Sequence, residues 1–93
     1  MHCIFTTQAE KDLKDIADYI ALDNPARSKS FIQEIRKRCH EITYAPLDYP
    51  LSCEYGKNIH KLPFGNYLIL YTIQVENIII VHIPHSSRNS PKH

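Results

Sequence analysis

The sequence predicts an α+β domain in the order β-α-α-β-β-β, a helical hairpin packed on one face of a mostly antiparallel sheet. Three observations lead there. Two amphipathic stripes lie between residues 9 and 42, separated only by "DNPA" at residues 23–26. Two apolar runs, residues 67–75 and 78–83, follow each other across a two-residue gap. A short β-prone segment, "HCIFT" at residues 2–6, precedes them all.

Taken in order, residues 2–6 form the first strand. Thr7 with Glu10 three residues later reads as a capping box, in which the hydroxyl and the carboxylate each satisfy a free N–H. Ala9, Leu13, Ile16, Ala17, Ile20 and Ala21 then make one helical stripe, and the helix is expected to reach about Leu22. Glu10 and Asp12 sit in its first turn, where the helix dipole favours acidic groups. Pro25 cannot continue a helix interior but suits the start of the next, with Asn24 as N-cap. Phe31, Ile32, Ile35, Cys39 and Ile42 form the second stripe, opposite Arg27, Lys29, Arg36, Lys37 and Arg38. So short a connection implies a helical hairpin.

"YAPLDYPLSCEYG" is a loop, broken by Pro46 and Pro50. A strand is expected from Lys57 to Leu62, a turn at "PFGN" (residues 63–66), and a strand from Tyr67 to Val75. Glu76 and Asn77 are read as a tight turn, with Asn able to adopt positive φ, before a last strand from Ile78 to Ile83. Residues 1–88 are read as one domain and residues 89–93 as a flexible tail.

Composition narrows the function. Hydrophobic residues are 43% and charged residues 23%, ordinary for a soluble globular chain. No uninterrupted apolar run is long enough to cross a membrane, and the start lacks a signal peptide's basic and apolar regions, so a cytoplasmic protein is expected. Cys3, Cys39 and Cys53 share no metal-type spacing and are read as reduced thiols. His82 and His85, three apart on a strand, would face opposite ways. No metal and no cofactor are therefore expected. The net charge of +1 does not announce nucleic-acid binding, so direct contact with nucleic acid is not expected. The charge is unevenly placed: residues 1–23 carry −3 and residues 24–44 carry +3.

The strand from Tyr67 is apolar on both sides. Tyr67, Ile69, Tyr71, Ile73 and Val75 point one way; Leu68, Leu70, Thr72 and Gln74 point the other. Two short helices cover one face, and nothing else in the chain is left for the second. That predicts a face for a homodimer or a dedicated protein partner. The competing reading is a curled sheet whose second face becomes a minor core, helped by the loop at residues 46–53.

"FTTQAEKDLKDIADYIALDNPARSKSFIQEI" resembles the opening hairpin of RelE/ParE-type toxins of bacterial toxin–antitoxin operons. "YPLSCEYGKNIHKLPFGNYLILYTI" resembles their Pro-rich loop and following strands, and "VHIPHSSR" their closing "H..R". The similarity runs from about Phe5 to Arg88. It implies the fold derived above and a cognate antitoxin as partner, covering the apolar surface. Homodimers and hetero-oligomers with the antitoxin are both compatible with it.

Two branches differ in chemistry. RelE-like members cleave messenger RNA on the ribosome, using a cluster of Lys and Arg with a Tyr near the C-terminus. Here Leu68 and Leu70 stand where that branch carries an Arg, and no Tyr follows Arg88. ParE-like members inhibit DNA gyrase by binding, which needs no catalytic group, and the first hairpin is more similar to theirs. His60 departs from the Arg usual before "KL" in ParE-like chains. The resemblance thus implies a gyrase-inhibiting toxin, with a ribosome-dependent endoribonuclease or an inactive antitoxin-binding relative as alternatives. No catalytic residue is assigned. Lys61, Tyr67, Tyr71, His85 and Arg88 are the candidate partner-binding residues. His82 is read as a strand residue packed beside Ile80.

Overall fold

The computed structural model describes residues 1–86. Its elements are β1 (His2–Phe5), α1 (Thr7–Ala21), α2 (Pro25–Glu41), β2 (His60–Phe64), β3 (Tyr67–Gln74) and β4 (Asn77–His82). The strands form one sheet in the order β1-β4-β3-β2. β4 pairs antiparallel with β3, and β3 antiparallel with β2. β1 lies parallel to β4, a pairing that needs a long connection, supplied here by everything between them. The domain boundary expected at residue 88 lies outside the described residues.

The helices cover one face of the sheet. Ala9, Leu13 and Ile16 of α1, with Ile35 and Cys39 of α2, pack on Ile69, Tyr71, Ile78 and Ile80. Each of those four sheet residues is almost wholly out of water, at about 25 cal/mol per Å² of apolar surface removed. The hairpin is fastened where the Ser28 hydroxyl donates to the Ala17 carbonyl at 2.6 Å. Asn24 caps α2 as expected, accepting from the Arg27 N–H at 3.0 Å with Pro25 in the first turn.

Several local expectations shift. The cap of α1 is Thr6, not Thr7: the Thr6 hydroxyl accepts from the Ala9 N–H at 3.0 Å and donates to the Val81 carbonyl at 2.8 Å. The capping box does not form, because Glu10 pairs across the hairpin with Arg36 at 2.8 Å. Anchoring to β4 decides between two adjacent threonines that local sequence cannot separate. β2 begins at His60 because residues 50–52 fold back on residues 59–61, with Ser52 N–H donating to Ile59 and Lys61 N–H to Pro50. Pro63 belongs to β2 rather than to the turn. Its nitrogen points the same way as that of Lys61, whose N–H donates to the Pro50 carbonyl on the side away from β3, so its missing N–H removes no bond to β3. The β3–β4 turn is Val75–Glu76, since Gln74 pairs with Asn77. The positive φ, +55°, therefore falls on Val75 and not on Asn77, and Val75 is 95% exposed. Register explains the shift: Ile78 must oppose Ile73 to share the helix-facing side, which pins the turn one residue early.

The second face is only partly open. Leu68 and Leu70 are buried without a helix above them, so the expectation of a wholly uncovered face does not hold. Lys61 stands across from Leu70 and keeps only 34% of its side chain exposed, consistent with a stem laid along apolar neighbours. The open part is the β1–β4 half, where Ile4 opposes Ile79 and Ile79 opposes Thr72. Ile4 is 44% exposed, and Thr72, Ile79 and Val81 are half-buried. No helix among the described residues is long and apolar enough to cross a membrane.

A candidate binding cleft between the first helix and the sheet

A cleft of about 220 Å³ opens between α1 and the end of the sheet where β3 begins and β4 stops. Its polar wall is Asp12, Asp15, Tyr19, Tyr67, His82 and His85. Asp12, Asp15 and Tyr19 fall on neighbouring helical positions of α1, three and four apart. β4 ends at His82, just ahead of Pro84, which has no N–H to extend the ladder. The chain continues alongside the start of β3 in the same antiparallel register: Leu68 N–H donates to the Pro84 carbonyl at 2.9 Å and Ser86 N–H to the Asn66 carbonyl at 2.8 Å. This continuation puts His85 opposite Tyr67, their rings edge to face with centroids 5.2 Å apart.

Asp12 organises the cleft. Its carboxylate is buried, yet fully engaged. One oxygen accepts from the Ile83 backbone N–H at 2.8 Å and from His82 Nδ1 in a short contact; the other accepts from the Gln8 amide at 2.8 Å. The carboxylate thus clamps α1 to the end of β4 and fixes the His82 ring. His82 is a clamp residue open to the cleft, not a strand residue merely packed beside Ile80. Sequence reading assigned Asp12 to the helix dipole. The signal it passed over is positional: Asp12 sits four residues before Ile16, at the edge of the apolar stripe, where an acidic group must find donors to be buried.

The structure brings together two of the candidate residues, Tyr67 and His85, and separates the others. Lys61 lies on the edge strand β2, 3.6 Å from Glu54. Tyr71 is a core residue and is corrected from partner contact to packing: it is fully buried, stacks on His60 at 4.9 Å, and donates to the Pro46 carbonyl at 2.7 Å. Burial, with Tyr49 and Asp48 nearby, pushes its phenol up to about 12. His60 is likewise buried, its Nδ1 2.7 Å from the Tyr49 carbonyl, which accounts for a His at that position as a packing residue. Arg88 lies outside the described residues. Among the described residues no group of three His, Cys, Asp or Glu is placed to hold a metal ion.

The cleft's electrostatics are one-sided. Two carboxylates line it, and no Lys or Arg does among the described residues. A phosphate would meet like charge there. A cation would meet carboxylates, which favour it.

Two solved structures define the class of fold. A chain of the chromosomal ParDE toxin–antitoxin system of P. aeruginosa superposes with a TM-score of 0.81 at 16% identity, covering 91% of this chain and 95% of that one. A chain of the RelB–RelE antitoxin–toxin complex of Methanococcus jannaschii gives a TM-score of 0.56 at 21% identity, covering 91% and 92%. No curated protein sequence matches significantly. The family model for the ParE toxin of the type II toxin–antitoxin system parDE matches residues 3–90. The chain belongs to that family, whose members pair with a cognate antitoxin.

Proposed function

We propose that this toxin acts in the cytoplasm by binding and inhibiting DNA gyrase, and that a cognate antitoxin neutralises it. The observation that carries binding over cleavage is the carboxylate-lined cleft, where the oriented imidazole of His82 lies beside Asp12 and Asp15 with no cation for a scissile phosphate among the described lining residues. On the outer face, Leu68 and Leu70 stand where the ribonuclease branch carries an Arg, and both are buried. The half-open strip of Ile4, Thr72, Ile79 and Val81 is the apolar surface that an antitoxin arm would cover, or a second copy of the chain in its absence. Tyr67 and His85 in the cleft, Lys61 on β2, and Arg88 are the proposed partner contacts.

A second reading, ribosome-dependent cleavage of message, draws on the Asp12-oriented His82 with His85 three residues on, a geometry suited to proton transfer. The test pairs two assays. Purified toxin is added to gyrase with relaxed plasmid and ATP, and transcripts from induced cells are mapped by primer extension. Lost supercoiling without codon-linked cuts supports gyrase inhibition. Codon-linked cuts with supercoiling intact overturn it, and co-expression with a candidate antitoxin tests neutralisation.

A further inference from the structure

We propose that Cys3 and Cys39 form a reversible disulfide within the folded chain, a redox modification site that ties the edge strand β1 to α2. The directions of the elements bring the two side chains together. α1 advances along β4: the Thr6 hydroxyl donates to the Val81 carbonyl, and Asp12, further along, accepts from the Ile83 N–H. β1 runs parallel to β4, so α1 and β1 point the same way. α2 returns beside α1, with Ser28 bonded to Ala17 and Arg36 paired with Glu10. α2 therefore runs against β1. The Arg36 guanidinium lies over the Phe5 ring, 5.1 Å from its centroid. From that crossing, three residues along α2 reach Cys39, about 4.5 Å on. Two residues back along β1 reach Cys3, about 6.6 Å in the same direction.

Both side chains enter one layer. Cys3 aligns with Ile78 on the helix-facing side and packs against the core cluster that contains Cys39. Cys39 is 0% exposed and Cys3 is half-buried. Burial, and then the neighbouring Cys3 thiol, push the Cys39 thiol up to about 12, a second sign that the sulfurs are close. Surroundings that resist a thiolate accept a disulfide, which is neutral. The oxidant is a small-molecule disulfide. Cys3, the more accessible, loses its proton and attacks one reagent sulfur, breaking the reagent S–S bond and releasing one reagent thiolate. Cys39 then loses its proton and attacks the Cys3 sulfur, forming the internal bond and releasing the second reagent thiolate. The two protons end on the two reagent thiols. Both cysteine thiols are raised, so exchange is slow at neutral pH and the pair answers sustained oxidant. Neither cysteine lines the cleft, and the site is independent of the cellular target.

The test uses the full chain carrying Cys53→Ser, so that only Cys3 and Cys39 remain. It is held folded at pH 8.5 with 2-hydroxyethyl disulfide, quenched with acid, and read by intact mass and peptide mapping. The expected product has lost two hydrogens, carries no reagent, and yields one peptide pair joined through Cys3 and Cys39. Its Tm is expected to rise by roughly 10–25 °C, the range for a staple closing so long a loop, and to fall back on reduction. With Cys39→Ser added, Cys3 should stop at the reagent adduct. With Cys3→Ser added instead, Cys39 should stay unmodified. A stable adduct on Cys3 beside a free Cys39 overturns the proposal. So does a chain that stays unmodified until urea is added, or a link that lowers Tm, since each means the folded chain holds the sulfurs too far apart for an unstrained bond.

Discussion

Replacing Asp12 with Ala removes the clamp between α1 and β4, and its cost can be built from the contacts. The Ile83 N–H sits on a residue 2% exposed, and without Asp12 it has no acceptor; an orphaned buried donor costs about 1–3 kcal/mol. The Gln8 amide is more exposed, and losing its bond adds about 0.5–1 kcal/mol. The His82 contact is part-exposed, with 36% of the imidazole open, and is discounted to about 1 kcal/mol. The total, about 2.5–5 kcal/mol, is a large share of the roughly 5–15 kcal/mol that stabilises such a domain. Asp12→Asn keeps one oxygen for Ile83 but loses the charge, and should cost about 1–1.5 kcal/mol. His82→Ala leaves both other donors satisfied and should cost about 1 kcal/mol. Urea unfolding at pH 7, with m unchanged, measures all three. In a double-mutant cycle, the Asp12 and His82 changes should cost less together than the sum of the singles. If Asp12→Ala cost under 1 kcal/mol, like an ordinary surface acid, the clamp would be a geometric arrangement without energetic weight.

Val75→Gly should stabilise the protein. The side chain is 95% exposed, so nothing is lost in packing, and a β-branched residue at φ +55° carries a left-handed penalty of about 1–2 kcal/mol. Against the entropy cost of glycine, about 0.5–1 kcal/mol, a net gain of about 0.5–1 kcal/mol and a Tm rise of several degrees are expected; a fall in Tm would contradict the turn geometry. The alkaline limb of stability should come from buried protonated groups. Tyr71 is raised from 10.0 to about 12, Cys3 from 9.0 to about 11 and Cys39 from 9.0 to about 12, each mainly by burial. Because the folded state holds these protons more tightly, stability is full below pH 9 and falls between about pH 9 and 12. Removing the Tyr71 hydroxyl with Tyr71→Phe should flatten the part above pH 10, and an unchanged urea-midpoint profile would refute the assignment. Thiol labelling at pH 8 should modify exposed Cys53 first and buried Cys39 only at the rate of unfolding; early labelling of Cys39 would place it outside the core.

The sequence alone determined the element order, the helical hairpin with its Asn24–Pro25 start, the division of the β3 side chains between two faces, and, through the resemblance of its motifs, the family. These are properties of residues near one another in the chain: hydrophobic period, cap chemistry and turn composition act over a few positions. The tertiary structure decided what depends on residues far apart. Thr6 rather than Thr7 caps α1 because Val81 stands above it. Val75 rather than Asn77 takes the strained turn because the Ile73–Ile78 register allows no other. Asp12 becomes the clamp of the cleft only because Ile83 and His82, some seventy positions later, arrive with donors that no local pattern announces. Tyr67 and His85 meet for the same reason, and Tyr71, alike in sequence, turns inward. Local free-energy preferences are legible in order along the chain, whereas a site is a coincidence in space, and its chemistry exists only once the sheet has closed.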